Sequence, residues 1–363
     1  MYSGNKADPS RGVPQLGVVT SSHHFFPPET FTSELRRQKL TMLKQATVLP
    51  LLLLLATTPL AKGATWGYSG STAPANWASV VANTSCDANA QSPIDIVSSS
   101  ATQETYSAFT FTGYDAVPSD VSMSLQNNGH SVLVALTSAS NAISVSGGGL
   151  TGSYIAAQFH FHWGSTSDFT VGSEHTLNGN SFPGELHIVH YSSTYSSLGD
   201  ALASGSDVAL AVLGFFLEES SSDNAALAPI IDNLQSVNDS GDAYTFTSEF
   251  TLDSILPSSK TNFYRYKGSL TTPTCDEVVV WTVFQDTIKI SRSQLTSLVS
   301  GAYFTAESGQ AAVVMANNYR PVQSLNGRAV SSSFDASASL RILPAWQLLV
   351  AAVTSAVAAA RWQ

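Results

Sequence analysis

The stretch Gln158-Phe159-His160-Phe161-His162-Trp163-Gly164 sets histidines and aromatic residues in alternation. On a β-strand successive side chains point to opposite faces, so His160 and His162 share one face while Phe159 and Phe161 enter the other. A second segment, Glu185-Leu186-His187-Ile188-Val189-His190, puts Glu185, His187 and Val189 on one face and Leu186, Ile188 and His190 on the opposite one. His187 is then the natural third partner for His160 and His162. Three neutral imidazoles around Zn²⁺ leave a fourth tetrahedral position for water, which is how catalytic rather than structural zinc is built. The pattern points to hydrolytic or hydration chemistry on a strand-built site.

The same kind of pattern extends outward from these two segments. From Trp66 to about Arg328, β-branched and aromatic runs such as Ser131-Val132-Leu133-Val134-Ala135-Leu136 and Val278-Val279-Val280-Trp281-Thr282-Val283 alternate with Ser, Gly, Asn and Asp clusters, which predicts a strand-rich domain. Helical patterning is limited, the better candidates being Asn224 to Val237 and Ser291 to Ser300. The 363 residues, 43% hydrophobic and 12% charged, fit one large globular domain plus processing segments. A formal charge of −10 without a basic cluster argues against nucleic acid as a partner. Cys86 and Cys275 are the only cysteines: too few for a thiolate metal site, enough for one bridge, and expected to pair in a secreted protein.

Both ends read as processing segments. Met42-Leu43-Lys44, the apolar run through Leu51 to Leu55 and the small residues near Ala61-Lys62-Gly63-Ala64 form a secretory signal over 42–64. Residues 1–41 are either an unstructured leader or lie ahead of a true start at Met42. Residues 331–363 combine a Ser-rich linker with a hydrophobic end, expected to be a lipid-anchor attachment signal; a retained transmembrane helix and a soluble tail are the alternatives. Asn83 and Asn238 begin Asn-x-Ser/Thr acceptors, compatible with a secreted or cell-surface glycoprotein.

An ordered set of motifs across residues 66 to 328 resembles the alpha-class carbonic anhydrases. It comprises Trp66-Gly67-Tyr68, Gln91-Ser92-Pro93-Ile94-Asp95-Ile96, Asn127-Asn128-Gly129-His130, the two histidine segments, Gly172-Ser173-Glu174-His175-Thr176, Gly268-Ser269-Leu270-Thr271-Thr272-Pro273 and Asn318-Tyr319-Arg320-Pro321. The resemblance implies a β-dominated mixed α+β fold: a single domain, here 65–330, around a large twisted, mainly antiparallel β-sheet with short peripheral helices. It implies reversible hydration of carbon dioxide to bicarbonate and a proton, with Zn²⁺ on His160, His162 and His187 and no organic cofactor. Zinc-bound hydroxide is the expected nucleophile, carbonic anhydrases being the reference case for that effect.

The remaining roles follow from the same resemblance. Gln158 and Glu185 each lie two residues before a ligand on the same face, so Gln158 is expected to orient His160 and Glu185 to orient His187. His162 is expected to be oriented by a backbone carbonyl. Thr271 would accept from the nucleophile and donate to Glu174, with His175 structural. His130 would shuttle the proton, histidine being the side chain that titrates near neutral pH. Tyr68 and Asn128 match the ordered-water positions, while Leu133 stands where fast members often carry a polar side chain. Val189, Val212, Leu270, Thr272, Val279 and Trp281 match the substrate pocket, whose apolar members form its wall. A Cys86–Cys275 bridge would tie the Thr271 loop to the amino-terminal segment and offset Pro273-Thr274 where many members have two prolines. Two rival readings are a non-catalytic surface-binding domain of the same fold and a zinc hydrolase acting on esters.

Overall fold

A computed structural model describes residues 66–247, 250–305 and 311–336. The expected leader and signal segment and the chain beyond residue 336 lie outside the described residues. Among the described residues no helix is long and apolar enough to cross a membrane.

Seven strands carry the site: β1 (Val121–Asn127), β2 (Val132–Ser138), β3 (Ser153–Trp163), β4 (Gly184–Ser192), β5 (Leu210–Ser220), β6 (Phe263–Gly268) and β7 (Val279–Ser291). They belong to a twelve-stranded sheet in which β1, β2, β3, β4, β5, β7 and β6 are successive neighbours. All these pairings are antiparallel except β5 with β7. This is the large, mainly antiparallel sheet of the expected fold, with short helices around it.

Period-two patterning sorts the sheet's side chains between two cores. Phe159, Phe161, Leu186, Ile188, Leu213, Phe215 and Phe284 pack on one face with Leu295, Leu298 and Val299 of the helix Arg292–Ser300. Val189, Val212, Val279, Trp281 and Val283 pack on the other. The pairing is irregular at two places: the register of β5 against β7 shifts between Phe215 and Leu217, and that of β3 against β4 shifts between Ala156 and Gln158. The second, a bulge at Ala157, lets Ile155 and Gln158 share a face despite their odd spacing.

Two expectations need correction. Asn224 to Val237 is not one helix but three short turns, Ala225–Leu227, Ala228–Ile231 and Leu234–Ser236. Pro229 suits only the start of a helical turn, and Asn233 interrupts the run in a non-helical conformation. The helix Arg292–Ser300 does form, started by a capping box in which Ser291 and Gln294 satisfy each other's backbone N–H groups. The expected linker boundary at residue 331 also falls too early. Ser331–Ser332 is a strand pairing with β6 and with Thr102–Gln103, and Ser332 is fully buried. Serines without an apolar rhythm read as linker, yet here their hydroxyls bond neighbouring backbone carbonyls and need no water.

Candidate active site

His160 lies opposite His187 and His162 opposite Glu185 in the β3–β4 register. Alternation then delivers all three histidines to one face. Their nitrogens lie within 4.8 Å of one another. The other ring nitrogen of each has its own acceptor. His160 Nδ1 is 3.0 Å from Gln158 Oε1, His162 Nδ1 is 2.7 Å from the Asn318 carbonyl, and His187 Nε2 is 2.7 Å from Glu185 Oε1. These partners fix the tautomers, turning the lone pairs of Nε2, Nε2 and Nδ1 inward. Burial, reinforced for His160 and His162 by neighbouring histidines, holds all three pKa values down, His162 at about 3. Neutral imidazole is the form that binds a metal.

Glu185 anchors a wider network. Its carboxylate accepts from the backbone N–H groups of Glu174 and His175, and it lies 2.7 Å from His175 Nδ1 as well as from His187. His175 Nε2 is 2.7 Å from the Tyr266 hydroxyl, which donates to Ser92. Burial alone would raise the Glu185 pKa, but His175 and His187 outweigh it and hold the group well below the usual carboxylate range. Gly214, opposite His187 on β5, keeps this arrangement open: a Cβ there would sit 3.0 Å from Glu185 Oε1.

Glu174 is the second buried carboxyl. Its Oε1 accepts from the backbone N–H of Arg320, and the Thr271 side chain hydrogen-bonds to it. Burial pushes its pKa well above the ordinary value, against the pull of Thr271 and Arg320. Its Oε2 lies 3.3 Å from His162 Nε2, and both atoms are buried without a hydrogen-bond partner among the described residues. With His162 protonated on Nδ1, two acceptors face each other across that gap. A cation among the three imidazoles would take up the Nε2 lone pair and, through space, favour the carboxylate form of Glu174, so the three-histidine donor set fits a metal ion.

The expected pocket residues converge on the same face. Val189 pairs with Val212, and Val212 with Trp281, in adjacent strands. These residues and Val279 are buried together, with Leu270 packed against them. The Trp281 ring lies 4.8 Å from that of His187, and its indole N–H donates to Ser269 at the start of the Thr271 loop. Thr272 is half-buried in that loop, its carbonyl accepting from Cys275 N–H.

His130 stands apart from this cluster. Its ring stacks on Trp66 with centroids 3.6 Å apart, and its Nδ1 is buried without a partner among the described residues. Burial lowers its pKa to about 4, below the range on which the shuttle expectation rests. Asn128 is exposed, its side-chain carbonyl accepting from the N–H groups of His130 and Ser131. It therefore shapes the turn. The Tyr68 hydroxyl is buried and unpartnered among the described residues, and Leu133 pairs with His160 in register.

Cys86 and Cys275 form a disulfide, as expected, closing a separation of 189 residues. Arg320 reinforces the junction by donating to the carbonyls of Cys86 and Ser92 and to Gln91 Oε1. Asn318 and Arg320 had no expected individual role, although their motif was visible. Asn318 acts on His162 through a backbone carbonyl, which every residue possesses, and its side chain bonds Trp163 N–H.

Comparison with known proteins agrees with this architecture. The eukaryotic-type carbonic anhydrase family model matches residues 72–334. The chain is 40% identical to carbonic anhydrase 7 of Homo sapiens over 272 residues, 75% of this chain and 98% of that one. It is 38% identical to carbonic anhydrase 1 of Mus musculus over 274 residues, covering 75% and 99%, and 38% identical to carbonic anhydrase 4 of Oryctolagus cuniculus over 268 residues, covering 73% and 82%. The chain therefore belongs to the eukaryotic-type carbonic anhydrases, the enzymes of carbon dioxide hydration.

Proposed function

We propose that His160, His162 and His187 hold Zn²⁺ and that the chain hydrates carbon dioxide reversibly to bicarbonate and a proton at that centre. The observation that carries this reading is the convergence of three imidazole lone pairs, each fixed by a separate acceptor, beside the orphaned Oε2 of Glu174. A bound zinc ion supplies a water that ionises near neutral pH, carbonic anhydrases being the reference case. The protein's own groups do the rest. Thr271 passes its hydroxyl proton toward Glu174, so its oxygen is left to accept from the nucleophile and aim it. A cation at the three histidines favours the ionised form of Glu174 that this requires. Val189, Val212, Leu270, Val279 and Trp281 offer uncharged carbon dioxide a dry wall beside the metal centre, with Thr272 at its edge.

Proton export falls to His130. Stacked on Trp66 it is too weak a base for the task, so relay proceeds with the ring turned away from the indole into water, where its pKa returns toward about 6.5. Tyr68 and Asn128 flank the path. The disulfide favours an oxidising compartment, in keeping with a secreted or cell-surface enzyme carrying a cleaved signal, glycans at Asn83 and Asn238 and a lipid-anchored tail. Metal analysis tests the central assignment: one zinc per chain in the wild type, lost in His162→Ala. Full zinc occupancy in that variant would refute it.

A further inference from the structure

On the sheet face opposite the three histidines, beside β6, lies a cavity of about 350 Å³ that the catalytic reading does not use. Its inner wall carries Arg265, which is only 8% exposed. The guanidinium is held rigidly: Nε and Nη2 donate to Thr282 Oγ1 at 3.2 and 2.9 Å, and Nη2 donates to the Gly148 carbonyl at 2.8 Å. The Tyr106 and Phe263 rings pack on it at 5.5 and 5.3 Å. Nη1 makes no hydrogen bond among the described residues, and no carboxylate there forms an ion pair with this side chain. Gly149 leaves that nitrogen uncovered, since a Cβ at 149 would collide with Tyr106 and lie 3.4 Å from Nη1.

A buried charge without a counter-ion in contact is costly, and a guanidinium fork matches a carboxylate or oxyanion. Burial lowers the Arg265 pKa only to about 10, so the group stays charged at neutral pH. Two other charged side chains line the cavity, and both are exposed. Lys267 is paired with Asp207, and Glu104 accepts from the Tyr106 hydroxyl, which also bonds Ser331. Glu104, exposed at the rim, acts on Arg265 only through space and forms no ion pair with it.

We propose that this cavity is an anion site in which Arg265 binds a small carboxylate or oxyanion through Nη1. The test is an NMR titration of the full-length zinc enzyme, ¹⁵N-labelled at arginine, with acetate and separately with inorganic phosphate at constant ionic strength. One guanidinium resonance, assigned by its loss in Arg265→Lys, is expected to shift saturably with a midpoint near about 1 mM, as for a weak single-site ligand. Saturation by acetate identifies a carboxylate site and saturation by phosphate an oxyanion site. Glu104→Gln, a change at an exposed residue, is expected to tighten binding severalfold by removing the cavity's one carboxylate. No saturable shift at Arg265 with either anion, or unchanged or weaker binding in Glu104→Gln, would overturn the proposal.

Discussion

Removing the Glu185 carboxylate strips His187 and His175 of an acceptor and two backbone N–H groups of theirs. Losing a partner that orients a metal ligand typically costs 10–100-fold in metal affinity. Glu185→Ala is therefore expected to weaken zinc binding by about that factor, read by competition with a chelator; unchanged affinity would remove Glu185 from the account. At His130 the controlling contact is Trp66. The histidine's pKa should lie near 4 in the wild type and rise toward about 6.5 in Trp66→Ala, as followed by NMR of the ring protons. A value near 6.5 in both proteins would show that the stacked position is not the one occupied in solution.

Strand β4 serves two environments at once. Glu185, His187 and Val189 face the three-histidine cluster, while His190 faces the opposite core, with Nε2 2.6 Å from the Tyr114 hydroxyl and Nδ1 directed at the Ile188 and Ala211 carbonyls. Burial lowers the His190 pKa to about 4. Because this folded value lies below the unfolded one, His190 contributes its full stability above about pH 6.5 and loses it as the pH falls toward 4. The loss amounts to about 3 kcal/mol, of which His190→Gln should be free. Urea unfolding of both proteins between pH 7 and 4 measures it; identical pH dependence would contradict the assignment. The alternation that separates His187 from His190 was legible because a strand's period is two. The bulge at Ala157 was not, since it depends on pairing with β4. The carbonyl of Asn318 and the capture of Glu174 by Arg320 N–H were hidden because backbone groups leave no mark in a sequence.

Across the whole molecule, the disulfide fastens the amino-terminal segment to the Thr271 loop and Arg320 fastens that segment to its own loop beside Glu174, whereas the three histidines stand on β3 and β4. Closing a loop of this length stabilises by up to about 5 kcal/mol in the chain-entropy model. Reduction is therefore expected to lower the unfolding free energy and the hydration rate while leaving zinc bound, as shown by urea unfolding and metal content with and without reductant. Simultaneous zinc loss would mean that the bridge supports the metal centre itself. The most direct test of the central claim is stopped-flow carbon dioxide hydration by the full-length zinc-loaded protein, with His160→Ala as control. Fast hydration that disappears in the variant is the predicted result. No hydration by a folded, zinc-loaded wild type, or equal rates in both proteins, would contradict it.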